Sequence, residues 1–176
     1  MAEVVDPDRP GQPGLVSRLR RLSTAEAALL AEAFALLAFS SAAIRVLPFS
    51  QVGRLASPRL RQPRKAPEEG LIAKVAWAIR ACAPRAPFRA VCFQQGLTAQ
   101  IMLRRRGVES TLYFGVGIGA PTGLSAHVWV KAGEVEVVGC EEAPGYAALA
   151  AFPPGSGKFA PQVGSPGPTQ FGSIRS

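Results

Sequence analysis

The spacing of apolar and polar residues predicts a series of helices in the first part of the chain. The pattern Ser23-Thr24-Ala25-Glu26 is a capping box, so a first helix is expected from there to about Leu47, where Pro48 would end it. Apolar residues recur at helical spacing in two further segments, 70–83 and 92–106. The helix that begins at the capping box is apolar on almost every side, which predicts that other elements cover it.

Strand patterns follow the last helix. They cover 111–118, 126–131 and 134–138, and the dipeptide Ala132-Gly133 is expected to join the last two as a hairpin. Helices followed by antiparallel strands predict an α+β fold.

Polar and proline-rich segments divide the chain into four regions. We expect a flexible basic N-terminus (1–22), a helical segment with a basic linker (23–69), a compact core (70–152) and a disordered tail (153–176). In the tail, 14 of 24 residues are Pro, Gly or Ser. Such a segment buries too little apolar surface to offset the entropy of ordering it.

Cysteine usage and the N-terminal sequence indicate the compartment. The three cysteines, Cys82, Cys92 and Cys140, form no CxxC pair, and an odd number argues against the disulfide framework of a secreted protein. The acids and prolines of the first 14 residues do not resemble a secretory signal. We therefore expect reduced thiols and a cytoplasmic location.

The net charge of +8 makes the surface attractive to polyanions. Nucleic-acid binding is not expected, because the basic residues lack interleaved aromatic residues and a known binding motif. The uncharged run 33–44 is shorter than the roughly 20 residues of a membrane span. Peripheral membrane contact by the first helix and its flanking arginines remains open.

Cys92 and His127 are the candidate catalytic pair. Cys92 stands at the predicted start of a helix, where the partial positive charge of the helix dipole favours a thiolate. His127 is the only histidine and lies on a predicted strand, where an imidazole could accept and return the proton. A lone cysteine is more often a small buried apolar residue, so the pair carries the argument. No cofactor or metal is expected, because the cysteines and the histidine lack the close spacing of zinc ligands.

Four strings in this order resemble the lasso peptide B proteins, a branch of the transglutaminase-like superfamily. They are FRAVCFQQGL (88–97), LRRRGV (103–108), FGVG (114–117) and SAHVWV (125–130). The resemblance covers roughly 70–146 and implies a papain/transglutaminase-like core, in which the cysteine-bearing helix packs on a small antiparallel sheet. With its N-terminal helices, the whole chain is similar to the standalone form of these proteins.

The resemblance also implies a function. Lasso peptide B proteins are cysteine peptidases that remove the leader from a ribosomally synthesised precursor, with Cys92 here matching the nucleophile and His127 the general base. The implied partners are the precursor peptide, a separate leader-recognition protein and an ATP-dependent macrolactam cyclase.

The third catalytic residue is not assigned by the sequence. The family commonly places an aspartate about a dozen residues after the histidine, where this chain has Val138 or Gly139. In the predicted hairpin His127 lies opposite Val138 and Trp129 opposite Glu136, so Glu136 is a diagonal neighbour of the histidine. Glu141 and Glu142 follow the strand. The candidates are therefore Glu136, Glu141, Glu142 or none, and the alternative function is an inactive transglutaminase-like module that binds a peptide or a partner protein.

Several other residues carry weaker expectations. Trp129 shares the face of His127, so it either belongs to the core or lines a substrate groove. Gly115, Gly117 and Gly119 are expected to permit a bend or a close approach of substrate. Cys82 and Cys140 are expected to be unreactive. The run 104–106 is expected to be a solvated helix end.

Overall fold

The computed structural model describes residues 22–57, 69–118 and 123–154. Most of the predicted N-terminal region and tail, much of the linker, and Gly119 lie outside these ranges. The described residues form four α-helices and four β-strands: α1 (Thr24–Val46), α2 (Phe49–Leu55), α3 (Glu69–Cys82), α4 (Cys92–Arg105), β1 (Thr111–Ile118), β2 (Leu124–Ala132), β3 (Val135–Val138) and β4 (Ala147–Phe152).

The strands form one antiparallel sheet with the order β3-β2-β1-β4. Helix α4 contacts β1, β2 and β3, while α1 packs on α3 and α4. Val128, Val130 and Ala132, which alternate along β2, are buried in the core. The structure confirms the predicted α+β class, with a cysteine-bearing helix on a small antiparallel sheet and helices ahead of it.

Helix α1 begins with the predicted capping box. The Ser23 backbone N–H donates to Glu26 Oε2 at 2.9 Å, and the Glu26 backbone N–H donates to the Ser23 hydroxyl at 3.2 Å. One stripe of the helix is buried, comprising Leu29, Ala33, Leu37, Ser40 and Ala43. Other elements cover this stripe, as expected, but the cover is incomplete, because Phe34 and Phe39 on the remaining surface are 41% and 47% exposed.

Helix α1 is also long and apolar enough to cross a membrane, by length and composition alone. A core helix of a soluble protein passes the same test. In this structure Leu29, Ala33 and Leu37 belong to the same buried cluster as residues of α3 and α4.

The predicted domain limits and the cellular location stay predictions.

The sequence predicted a solvated end for α4. The structure instead shows that this basic end contacts α1. Arg106 makes two hydrogen bonds with the carboxylate of Glu32, and Arg105 Nη1 lies 3.6 Å from Glu32 Oε1. A bidentate arginine–carboxylate pair is geometrically specific as well as attractive. This contact joins the two helices at the end of α4 remote from Cys92.

The predicted register of the β2–β3 hairpin is wrong. The turn is formed by Gly133 and Glu134, with Gly133 at φ +60°. The observed pairs are Ala132 with Val135, Lys131 with Glu136 and, after an irregularity, Val130 with Val138. Val138 therefore does not lie opposite His127, and Glu136 does not lie opposite Trp129.

Two elements were not predicted from the sequence. Helix α2 begins directly after Pro48, in a stretch expected to be linker, and buries Val52. Strand β4 pairs with β1 at an edge of the sheet.

The glycines of β1 are crowded by the chain itself. At Gly115 a Cβ would lie 2.7 Å from the ring of Trp129. At Gly117 a Cβ would meet the carbonyl of Gly145. The β1–β4 pairing is irregular between Phe114 and Gly115, which fits the expected bend, and the approach of substrate to these glycines stays a prediction.

Candidate active site

Cys92 is the first residue of α4 and is partly buried. The preceding residue, Val91, is the N-cap and offers no side-chain hydrogen bond to the helix. The N–H groups of a first helical turn have no partner within the helix. The thiol therefore lies beside backbone donors that can bind an anionic oxygen.

His127 lies on β2 and is buried, at 4% exposure. Its ring is 6.1 Å from the ring of Trp129 and 4.9 Å from that of Tyr146, measured between centroids. Trp129 is itself buried and stacks on Tyr113 at 5.5 Å. Of the two roles left open for Trp129, the structure supports the core position, from which it holds one side of the histidine ring.

A backbone carbonyl fixes the histidine at one nitrogen. His127 Nε2 lies 2.6 Å from the oxygen of Gly139. A carbonyl oxygen only accepts hydrogen bonds, so Nε2 must carry the proton, which leaves the lone pair of a neutral ring on Nδ1. Gly139 is one of the two positions, with Val138, where the resemblance led us to expect an aspartate, and here its main chain contacts the ring.

The conformation of Gly139 does not suit a side chain. Its φ is +72°, and a Cβ would lie 2.5 Å from the carbonyl oxygen of Val128 and 3.2 Å from His127 Nε2. A side chain at position 139 would therefore push the backbone away from Val128 and the imidazole.

One of the three acids left open by the sequence contacts the histidine. Glu142 Oε2 lies 3.6 Å from His127 Nδ1, although the glutamate side chain is largely exposed. The other two have different partners, since Glu141 pairs with Arg80 at 3.1 Å and Glu136 pairs with Lys131 at 3.7 Å. Glu142 is thus placed to interact with a protonated ring.

Cys92 and His127 line the same cavity, which has a volume of about 390 Å³ and which we call the histidine cavity. Glu141, Glu142, Gly139 and Tyr146 also line it. Among the described residues no hydrogen bond joins Cys92 Sγ to the imidazole. The structure brings the two candidate residues into one cleft, and their catalytic roles remain predictions.

The other two cysteines are held as thiols. Burial raises the pKa of Cys140, which donates to the carbonyl of Val130 at 3.3 Å. Burial likewise raises the pKa of Cys82, whose thiol contacts the carbonyl of Leu30 at 3.5 Å.

In the described ranges no three His, Cys, Asp or Glu side chains are grouped closely enough to hold a metal ion.

Sequence reasoning missed two groups that contact the histidine. The carbonyl of Gly139 gives no signal in a search for acidic side chains. Tyr146 follows the short 3₁₀ helix Ala143–Gly145, and only its proximity to Glu142 along the chain could have drawn attention to it.

Comparison with known proteins identifies the family. The sequence model of the transglutaminase-like superfamily matches residues 18–151, which include the first helix as well as the cysteine-bearing helix and the sheet. Neither the curated proteins nor the solved structures give a significant match. The matched range covers most of the chain and agrees with the observed fold, and the protein therefore belongs to the transglutaminase-like superfamily.

Proposed function

We propose that this protein is a cysteine peptidase that removes the leader from a ribosomally synthesised precursor of the lasso peptide type. The observation that carries the proposal is the shared cavity of Cys92 and His127 inside a transglutaminase-like domain, a superfamily that includes cysteine proteases. The four strings shared with lasso peptide B proteins favour leader removal over other peptidase functions.

The chemistry is acyl transfer in two steps. Cys92 Sγ attacks the scissile carbonyl while its proton passes to His127 Nδ1, and backbone N–H groups at the start of α4 bind the resulting oxyanion. His127 then protonates the leaving amine, the C–N bond breaks and a thioester remains on Cys92. Water, deprotonated by His127, attacks the thioester, which releases the leader as a carboxylic acid and restores the thiol.

Two neighbours of His127 support these steps. The Gly139 carbonyl holds the proton on Nε2 and so keeps the lone pair on Nδ1, the nitrogen that faces Glu142 at the cavity wall. The Glu142 carboxylate stabilises the ring when Nδ1 is protonated. In this proposal a backbone carbonyl and an exposed glutamate together replace the family's aspartate.

The same proposal includes partners and location. A standalone enzyme of this type acts with a separate leader-recognition protein, and its product is taken by an ATP-dependent macrolactam cyclase in the cytoplasm. These assignments rest on the resemblance of the sequence strings.

Substitution of the two candidate residues tests the peptidase function. With a lasso-type precursor peptide and a leader-recognition protein present, Cys92→Ala and His127→Ala should each lower the cleavage rate by about a thousandfold or more, because nucleophile and base act as a unit. Mass spectrometry of the products measures the rate, and Cys82→Ala is the matched control. Cleavage by Cys92→Ala at the wild-type rate would reject the proposal.

A second candidate is an inactive module that binds peptides. Two observations on the described residues favour it, namely the absence of a carboxylate at positions 138 and 139 and the absence of a hydrogen bond between Cys92 Sγ and the imidazole. Loose contacts between catalytic groups are common before substrate binds, so the second observation does not exclude catalysis.

Iodoacetamide labelling distinguishes the two candidates. At neutral pH a peptidase should be labelled at Cys92 well before Cys82 and Cys140, because burial raises the pKa of both and keeps them as unreactive thiols. His127→Ala should slow labelling of Cys92 if imidazole and thiol are coupled. Equal labelling of Cys92 in the wild type and in His127→Ala would favour the binding module.

A further inference from the structure

A second cavity adjoins Cys92. It has a volume of about 520 Å³ and is lined by Arg45 from the last turn of α1 and by Arg89 from the segment before α4. We call it the arginine cavity. It shares Val91, Cys92 and Ala126 with the histidine cavity, so the two cavities adjoin at Cys92.

The two cavities differ in charge. Both arginines are exposed, and no described carboxylate lies within ion-pair distance of either. The histidine cavity is lined by Glu141, Glu142 and Arg80, and Arg80 pairs with Glu141, so Glu142 is the carboxylate there that no arginine of the described residues neutralises. A peptide crossing Cys92 would therefore pass from a cavity with two arginines that have no carboxylate partner among the described residues to one with a single excess carboxylate, that of Glu142.

A buried polar group in the arginine cavity also lacks a partner. Gln94 lines this cavity and is only 5% exposed, yet its Oε1 makes no hydrogen bond with any described residue. A buried acceptor without a donor is costly, and this oxygen has almost no accessible surface, so an N–H group of an occupant would reach it only after the Gln94 side chain turned toward the cavity. A peptide backbone supplies such a donor at each residue other than proline.

We propose that the arginine cavity is a subsite for an acidic side chain on the acyl side of the scissile bond, so that the substrate peptide carries Asp or Glu within a few residues before the cut. This inference rests on the proposed peptidase function, which also sets the direction of the peptide. His127 protonates the leaving amine, so the amine side lies in the histidine cavity and the acyl side lies in the arginine cavity. The amine, once released and protonated, is then close to Glu142.

Paired peptide reagents test the subsite. Each reagent is an acetylated tripeptide ending in a vinyl sulfone, to which Cys92 Sγ adds at the β-carbon while a proton is taken up at the α-carbon. A single Glu at the first, second or third residue before the sulfone is compared with Gln at the same place. At low ionic strength the Glu reagent should label Cys92 about fivefold faster at one of these positions, as expected for one or two solvent-exposed ion pairs.

Arginine variants show whether this preference comes from the cavity. The double variant Arg45→Gln/Arg89→Gln should bring the Glu-to-Gln ratio close to one, whereas Arg54→Gln, an exposed arginine of α2 outside both cavities, should leave it unchanged. Raising the salt concentration should lower the wild-type ratio. A ratio of one at all three positions, or a ratio that persists in the double variant, would overturn the proposal.

Two further measurements separate this inference from others. Fluorescent peptide amides of the same sequences, titrated onto Cys92→Ala by anisotropy, test the charge preference without any thiol chemistry, and equal binding of the Glu and Gln peptides would overturn the subsite. If the protein prefers Glu reagents but does not cleave the precursor, the subsite proposal stands and the peptidase proposal is rejected. If it cleaves the precursor without a preference for Glu, the peptidase proposal stands and the subsite proposal is rejected. Loss of binding to phosphatidylglycerol vesicles in the double variant, with the peptide preference intact, would assign the arginines to a lipid surface and overturn the proposal.

Discussion

At the scale of single residues, Gly139 is the position that distinguishes this site. Its carbonyl contacts His127 Nε2, and its positive φ brings the backbone so near to Val128 that a Cβ has no room. Gly133 provides a matched comparison, because it also has a positive φ but a Cβ added there would meet no atom within 4 Å.

Gly139→Ala should therefore be more harmful than Gly133→Ala. Both variants incur about 1 kcal/mol of backbone strain from a side chain at positive φ. Only Gly139→Ala also forces the carbonyl away from the imidazole, so the cleavage rate should fall by about tenfold to a hundredfold. Urea unfolding and the precursor cleavage assay measure the two effects, and equal behaviour of the two variants would contradict the role given to the carbonyl.

The sequence identifies the two candidate residues of the site but not the groups that contact them. Cys92 and His127 stand out because a thiol at a helix start and a single imidazole are visible in the sequence. The contact at Gly139 is not visible, because every residue has a carbonyl and its direction depends on φ and ψ. The choice among Glu136, Glu141 and Glu142 needed the strand register, which was predicted wrongly.

At the scale of elements, the approach of α4 to the sheet determines where Cys92 lies. Gly96 is buried on the helix face toward β2, and a Cβ there would lie 2.6 Å from Val128 Cγ1. The neighbouring strand residue is His127. A glycine in the helix therefore allows the start of α4 to lie close to the strand that carries the histidine.

Gly96→Ala should destabilise the protein although it improves helix propensity. Alanine is favoured over glycine in a helix interior by up to about 1 kcal/mol, but overpacking a buried contact with a β-branched residue costs about 1–3 kcal/mol. Gly70→Ala in α3 meets no atom within 4 Å and should leave stability unchanged or slightly raise it. Thermal unfolding of both variants checks the opposite signs, and a stabilised Gly96→Ala would refute this account of the packing.

Elements with a strong local signal were predicted well, and those fixed by tertiary contacts were not. The start of α1 follows from the Ser23–Glu26 capping box, and its end follows from Pro48. Strand β4 has the sequence AALAAF, which lacks alternation and β-branched residues, so it is held as a strand by pairing with β1. The hairpin register was missed because Gly133 occupies the first rather than the second turn position, which moves the turn by one residue along the chain.

At the scale of the whole molecule, the position of α1 links the fold to the proposed subsite. The helix supplies Arg45 to the arginine cavity and is joined to α4 through Glu32 and Arg106. Its exposed surface carries Phe34 and Phe39, and its composition would also suit a membrane. If α1 packs on the core, its buried residues contribute to stability more than its exposed ones, whereas in a membrane-embedded helix they would not.

Leu37 and Phe39 separate these two arrangements. Leu37 is completely buried against α3 and α4, whereas Phe39 is 47% exposed. If α1 is part of the folded core, Leu37→Ala should lower the free energy of unfolding by about 2–5 kcal/mol through the cavity it leaves, and Phe39→Ala by less than about half as much. Urea unfolding of the detergent-free protein gives both values. If α1 inserted into a bilayer and contributed nothing to the core, the two truncations would have similar effects, and the cavity next to Cys92 would lose the wall that carries Arg45.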